Sequence, residues 1–170
     1  MVSTENLRVV LLYSKMTEVR QRLLSSLSLH NVTVGPNDEQ VGKDFYKYFF
    51  TNFPDLRVYF KGAEKYTADD VQKSERFEKQ GRRLILACHF LATNADQPEI
   101  IKAYAREQVI RHRPFKMQHA LWRAFFDVWL GYLASRGPVD EQTKKDWIEV
   151  GTIFAEECVR YGKEIGVGHD

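Results

Sequence analysis

The chain has 170 residues, the usual size of one domain and enough to bury a large core without disulfide or metal staples. Its 25 basic and 23 acidic residues give a formal charge of only +2, and the basic residues are spread along the chain. Because there is neither a basic arm nor a basic stripe, we expect no nucleic-acid partner and no anionic membrane partner.

The N-terminal residues 1–16 contain an apolar run, Val9 to Tyr13, that could be mistaken for a targeting segment. The run is too short to span a membrane, and its flanks, with Glu5 before it and Lys15 after it, are not those of a signal peptide. We therefore expect residues 1–16 to be either a leader to the first helix or a dispensable extension.

The first clear helical pattern runs from Thr17 to Leu29, where apolar residues recur at spacings of three and four. After a break at residues 31–37, a second helix is predicted from Asp38 to Phe53, in a segment dense in aromatic side chains. Pro54 ends that helix because its ring clashes with the preceding turn. A short turn then leads to Phe60.

Helical signals continue through the rest of the chain. Thr67 offers an N-cap hydroxyl with an acid, Asp70, three residues later, which predicts the start of a short helix. Longer helical patterns cover Ser74 to Thr93, Pro98 to His112, Ala120 to Ser135 and Asp140 to Ile165. Residues 166–170 are expected to form a flexible tail. No segment alternates with a period of two, so the predicted class is all-α with six to eight helices.

Cys88 and Cys158 both fall inside predicted helices. Neither has the CxxC spacing or any other spacing of a metal site. Small buried thiols in a reducing compartment are the simplest interpretation, and they predict a cytoplasmic protein.

Several of these features follow one another in a distinctive order. The aromatic-rich helix ends at Pro54, Phe60 lies six residues later, the pair Gln80-Gly81 lies on the next long helix, and His112 follows 32 residues beyond Gln80. This order resembles the globin family, and in particular the intracellular, myoglobin-like globins of nematodes. The resemblance covers about residues 17–165 and is most specific between residues 45 and 84. It implies a globin fold of six to eight helices around one pocket for haem b.

The candidate metal ligand is one of five histidines: His30, His89, His112, His119 and His169. A histidine without context is more often a satisfied polar side chain than a ligand. His30 lies at a helix end and His169 in the tail, and His89 lies about 180° around its helix from Gln80. The residues alone leave His112 and His119. The resemblance implies that His112, which closes a helix, is the proximal haem-iron ligand.

On the opposite, distal side the resemblance implies Gln80 and Tyr46 as the groups that contact bound oxygen. Many globins carry a histidine where this chain has Gln80, whose amide donates a hydrogen bond but does not titrate near neutral pH. Composition alone favours Tyr46 as one more core aromatic; the tyrosine–glutamine pairing typical of nematode globins favours a second donor. Two donors facing a ligand with partial negative charge predict tight oxygen binding through slow release.

The resemblance also implies residues that line the haem pocket. Phe60 is expected to wedge against the haem face. Phe77 and Leu84 are either pocket residues or ordinary core. Arg83, Arg113 and Lys116 are candidates for the haem propionates, with a solvated basic surface as the alternative for each. The complete set of pocket residues expected from the resemblance is Phe60, Phe77, Leu84, Arg83, Met117 and Phe125.

Three functions from different classes remain open at this stage. The first is reversible oxygen binding for storage or transport, by a protein that is not an enzyme. The second is a haem enzyme of the nitric oxide dioxygenase or peroxidase type, or an oxygen or redox sensor, using the same pocket. The third is an all-α interaction module without a cofactor. A homo-oligomer is compatible with the sequence, because Trp129 and Trp147 are interpreted either as core or as subunit contacts.

Overall fold

Seven α-helices and two short 3-10 helices form the regular structure of the computed structural model, which describes residues 4–35 and 38–170. Within these residues the only β pairing is an isolated bridge, so the predicted all-α class is confirmed. The α-helices are α1 Thr4–Leu29, α2 Glu39–Asn52, α3 Ala68–Gln72, α4 Glu75–Thr93, α5 Pro98–His112, α6 Ala120–Arg136 and α7 Glu141–Ile165. The 3-10 helices are Pro54–Tyr59 and Arg113–Phe115.

The first helix differs from the sequence prediction, because α1 begins at Thr4 rather than near Thr17. Apolar periodicity identifies a helical segment but does not fix the residue at which the helix begins. Residues 4–16 contain neither glycine nor proline, so nothing in their composition interrupts the helix before the periodic part starts. The segment interpreted as a leader or extension is therefore largely the first half of α1.

Local signals place the other helix ends close to their predicted positions. Helix α2 ends at Asn52, and the 3-10 helix starts directly at Pro54, whose fixed φ suits a first helical position. Thr67 caps α3 with a complete capping box: its hydroxyl accepts from the Asp70 N–H, and the Asp70 carboxylate accepts from the Thr67 N–H. Helix α5 spans Pro98–His112, as predicted.

The core is built around aromatic side chains contributed by α2, α4, α6 and α7. Phe45, Phe50 and Phe77 are buried together with Trp129 and Trp147. The two tryptophans pack edge to face with ring centroids 5.7 Å apart, and neither is exposed. Both are therefore core residues, and the alternative that they form subunit contacts is not supported.

The segment after α7 is also different from the predicted flexible tail. The His119 N–H donates to the His169 carbonyl over 2.7 Å, and the His169 N–H donates to the Met117 carbonyl over 3.2 Å. Gly166 caps α7 in the left-handed conformation, which turns the chain back toward the start of α6. Residues 166–170 are thus hydrogen-bonded to the body of the protein, a pairing over about 50 residues of sequence that no local signal predicts.

Candidate functional site

Helices α2 and α4 cross where two glycines face each other, Gly42 and Gly81. A Cβ atom on Gly42 would lie 2.5 Å from the Gly81 Cα, and a Cβ on Gly81 would lie 2.6 Å from the Gly42 Cα. The two backbones therefore touch, which only residues without a side chain allow. Tyr46 lies one turn after Gly42, and Gln80 directly precedes Gly81. The crossing thus holds the two predicted distal residues next to each other.

Tyr46 is buried, with 7% of its surface exposed. Its ring lies 5.3 Å from Phe45, 5.8 Å from Phe60 and 5.0 Å from Phe77, measured between centroids. Burial raises the pKa of the Tyr46 hydroxyl well above its usual range. The group therefore keeps its proton at every physiological pH and remains a hydrogen-bond donor.

Gln80 lies close to that hydroxyl on the neighbouring helix. Its side chain acts on the Tyr46 pKa in the direction opposite to burial, which is the main cause of the raised value. The Gln80 side chain is itself only half-buried, so it is not enclosed by the core as Tyr46 is. The structure therefore brings together the two distal residues that were predicted from sequence.

Phe60 and Phe77 differ in their surroundings, although both contact Tyr46. Phe60 is half-buried at the end of the first 3-10 helix, with its ring 5.5 Å from Phe49 and 5.2 Å from Phe50. Phe77 is completely buried behind Tyr46. The structure thus favours the core alternative for Phe77 and leaves Phe60 partly exposed.

His112 closes α5 and is held in one orientation. Its Nδ1 lies 2.8 Å from the Gln108 carbonyl, which accepts only, so Nδ1 carries the proton and Nε2 carries the lone pair. Burial lowers the His112 pKa, which keeps the ring neutral at pH 7. No other described residue forms a hydrogen bond with Nε2. Sequence reasoning missed the ring contacts of Phe115 at 5.8 Å and Trp122 at 5.1 Å, which support the imidazole from two sides.

Three of the other histidine rings have oxygen partners. His30 lies between the Ser26 carbonyl at 2.6 Å and carbonyls of the turn between α6 and α7. His89 contacts the Val32 carbonyl at 2.8 Å. His119, the second candidate ligand, has both nitrogens engaged, with Asp170 and with the Val167 carbonyl. These contacts leave His112 as the histidine best placed to bind a metal.

A continuous series of aromatic contacts joins His112, the candidate iron ligand, to Tyr46 on the distal side. It leads from His112 to Tyr46 through Trp122, Phe154, Phe126, Phe125 and Phe45, each ring within 6.1 Å of the next. The predicted pocket residues Phe125 on α6 and Leu84 on α4 are half-buried against the core, and Met117 is half-buried at the entry to α6. These three apolar side chains of the candidate pocket are thus only partly covered by other residues.

The candidate propionate partners are all on the surface. Arg83 is exposed on α4, and Arg113 and Lys116 are exposed just after His112. None of the three is ion-paired with a described acidic residue, so their charges are not neutralised within that part of the protein. Their exposure is compatible with a solvated basic surface and also with contact to an anionic group, so their role toward the haem propionates stays a prediction.

The donor set fits haem. A neutral imidazole with Nε2 free and Nδ1–H fixed on a carbonyl is the form that binds iron, and the Gln108 carbonyl is the outer partner that fixes its tautomer. Flanking apolar side chains suit a flat hydrophobic ring. Two side chains that can donate hydrogen bonds, Tyr46 and Gln80, lie on the helix pair α2 and α4. This combination is the one expected of a helical haem-binding protein.

Comparison with known proteins identifies the family. The sequence profile described as Globin matches residues 43–158. A globin-like protein of Caenorhabditis briggsae is 53% identical over 84% of the chain and 92% of its own length. A myoglobin of Nippostrongylus brasiliensis is 47% identical over 91% of the chain and 99% of its own. The solved structure of a Caenorhabditis elegans globin-like protein superposes with a TM-score of 0.84 at 49% identity, covering 91% of this chain and 98% of that one.

The chain belongs to the globin family, and the family implies a haem group and haem-based oxygen binding. The resemblance to nematode globins inferred from sequence is confirmed. Among the helices of the described residues, none has the length and apolar character needed to cross a membrane.

Proposed function

We propose that this globin stores or transports oxygen with high affinity, and that Tyr46 and Gln80 together produce that affinity. The observation that carries the proposal is the enclosed Tyr46 hydroxyl with Gln80 beside it, on helices that touch at Gly42 and Gly81. Haem b would supply the iron to which oxygen binds, with His112 Nε2 as its protein ligand. Neither cysteine forms a CxxCH sequence, which fits a haem held without covalent attachment.

The two donors favour slow oxygen release for a physical reason. An oxygen ligand draws negative charge, and each hydrogen bond it accepts stabilises the bound state by roughly 0.5–1.5 kcal/mol, with more in a dry site. Tyr46 is confined by Phe45, Phe60 and Phe77, so little ordering of its side chain is needed when the ligand enters. Enzymatic peroxide chemistry is less well supported because it requires a group that moves protons. Gln80 does not titrate, and burial makes Tyr46 a weaker acid still.

The test is Tyr46→Phe, which removes one hydroxyl and keeps the ring contacts. We expect the oxygen dissociation rate, measured by stopped flow, to rise about tenfold or more, since tenfold corresponds to about 1.4 kcal/mol. Tyr66→Phe is the matched control, because Tyr66 also contacts Phe77, with centroids 6.1 Å apart. A rate for Tyr46→Phe within about twofold of wild type would exclude the two-donor explanation.

Absorption spectra of the ferric, ferrous, oxygenated and carbonmonoxy forms separate the broader alternatives. A purified protein that stays colourless after haem-replete expression would contradict haem binding altogether. A stable oxygenated spectrum in air, without a reductase, supports storage or transport over dioxygenase turnover. Cys88 and Cys158 are buried free thiols, and we propose on that basis that the protein works in a reducing compartment, the cytoplasm.

A further inference from the structure

The segment after α7, Gly166–Asp170, lies against the connection that follows the candidate iron ligand. We call this segment the strap, and we call residues 113–119, which join α5 to α6, the corner. Two backbone hydrogen bonds link them, from the His119 N–H to the His169 carbonyl and from the His169 N–H to the Met117 carbonyl. Gln118 and His169 form a parallel bridge at the same place.

The His119 ring adds side-chain contacts to this attachment. Its Nδ1 lies 3.0 Å from the Asp170 carboxylate and its Nε2 lies 3.0 Å from the Val167 carbonyl. His119 is buried, with 7% of its surface exposed, although it begins a helix at the edge of the molecule. Lys163 holds Asp170 from the other side at 3.1 Å, and these two partners lower the pKa of the Asp170 carboxyl.

The corner itself needs an external restraint. Lys116 has a φ of 48°, in the left-handed region that a residue with a side chain seldom adopts. Such a residue persists only where the surrounding structure fixes it. Lys116 directly precedes Met117, whose carbonyl the strap holds, and it lies four residues after His112. The strap thus reaches the corner from outside α5 and α6.

We propose that the strap positions His112 and Met117 for haem by holding the corner, so that Asp170 and Gly168 act on the pocket through His119. This inference rests on the proposed haem function. It assigns a role in haem retention to a segment that contacts the candidate pocket through the Met117 backbone. The strap stabilises the left-handed turn, and the turn fixes the last residues of α5 and the entry to α6.

Two glycines in the strap provide a matched pair of variants. Gly168 has a φ of 85°, and a Cβ there would lie 2.8 Å from the His119 ring and 3.0 Å from the Met117 carbonyl oxygen. Gly166 has a φ of 67°, and a Cβ there would meet nothing within 4 Å. Both Gly→Ala changes impose left-handed strain, but only Gly168→Ala pushes the strap off the corner. Asp170→Asn tests the same contact without backbone strain, and Glu164→Gln on α7 is its control.

The first measurement is amide hydrogen exchange of the haem-free protein. We expect the His119 amide to exchange about tenfold faster in Gly168→Ala than in Gly166→Ala, because its acceptor is displaced. The second measurement is haem transfer from the loaded protein to an excess of an acceptor apoprotein. We expect transfer to be about three- to tenfold faster in Gly168→Ala and Asp170→Asn, a smaller effect than the loss of a group that bonds the metal ligand directly. The third is the iron–histidine stretching band, which should shift or broaden in the same two variants.

Each outcome decides the proposal. Unchanged exchange at His119 would show that the strap does not hold the corner, and the proposal would be wrong. Faster exchange with unchanged haem transfer and an unchanged iron–histidine band would show that the strap stabilises the corner without affecting the pocket. This result would also overturn the proposal. If the wild-type protein takes up no haem, the proposed function fails and the pocket role fails with it. The exchange experiment uses the haem-free protein, so it tests whether the strap holds the corner even if the proposed haem function is wrong.

Discussion

The backbones of Gly42 on α2 and Gly81 on α4 touch where the two helices cross. A methyl group on either residue would lie about 2.5 Å from the other residue's backbone. Tyr46 and Gln80 stand on either side of this contact, one on each helix. The distance between the two distal side chains is therefore set by a pair of residues that have no side chain of their own.

Replacing either glycine by alanine tests this dependence. An alanine normally stabilises a helix interior by roughly 0.5–1 kcal/mol relative to glycine. At Gly42 or Gly81 we expect the opposite sign, a loss of about 1–3 kcal/mol in the free energy of unfolding, because the helices must separate. Urea denaturation of the two variants measures it. We also expect faster oxygen dissociation in both, since separating α2 from α4 separates Tyr46 from Gln80. A stabilised Gly42→Ala protein would show that the helices do not touch in solution.

Gln80→Leu removes the amide and keeps a side chain of similar size. We expect the oxygen dissociation rate to rise about three- to tenfold, the effect of roughly one lost hydrogen bond. Lys79→Leu, an exposed neighbour on the same helix, is the control.

The double variant with Tyr46→Phe shows whether the two donors act together. Because the contact between Gly42 and Gly81 places the two side chains next to each other, we expect the effects of the two changes on the dissociation free energy to be non-additive. Strictly additive effects would mean that each donor acts on the ligand alone.

The sequence predicted those parts of the structure that local chemistry determines. Pro54 and Pro98 mark helix ends because proline restricts its own neighbourhood, and Thr67 caps α3 through residues three apart. The positions of Tyr46 and Gln80 were inferred from a family pattern. Their proximity depends on Gly42, which lies one turn before Tyr46 inside an aromatic helix. No local pattern in the sequence shows that this glycine faces another helix.

What could not be predicted depends on contacts between distant parts of the chain. The strap meets the corner because Gly166 turns the chain after α7. The sequence of residues 166–170 does not indicate that His119 is the residue they contact. Similarly, the sequence is compatible with Trp129 and Trp147 as core or as contact residues, because helical periodicity does not identify the helix that covers a given face. Their mutual packing at 5.7 Å decides the question.

His112→Gly tests the ligand assignment and allows a rescue. Removing the imidazole leaves a space supported by Phe115 and Trp122, into which free imidazole can bind. We expect the variant to lose the ferrous and carbonmonoxy spectra of a histidine-bound haem and to recover them when millimolar imidazole is added. His89→Gln is the control, since the His89 ring is hydrogen-bonded to the Val32 carbonyl and not available as a ligand. A spectrum unchanged by His112→Gly would place the iron on another ligand.

Glu157 on α7 is paired with Arg106 on α5, the helix that carries His112. Because Glu157 is a buried carboxylate, we expect this pairing to make the stability of the protein depend on pH. Its carboxylate accepts from Arg106 over 2.6 Å and from Arg160 over 2.7 and 2.8 Å. Arg160 first, and then Arg106 against the opposing effect of burial, lower the Glu157 pKa from 4.5 to about 2. A carboxylate with a lowered folded-state pKa stabilises the protein above its unfolded-state pKa, and that contribution is lost as the pH falls toward 2.

We therefore expect Glu157→Gln to lower the free energy of unfolding by roughly 1–2 kcal/mol at pH 7, allowing for the solvent exposure of Arg160. The difference from wild type should shrink as the pH falls from about 4.5 toward about 2, the interval between the two pKa values. Urea denaturation of both proteins at a series of pH values measures it. Glu164→Gln removes an exposed partner of Arg160 and should cost less than about 0.5 kcal/mol at any pH. A Glu157→Gln deficit that stays constant from pH 7 to pH 3 would show that lost packing, and not the ionised carboxylate, accounts for the difference.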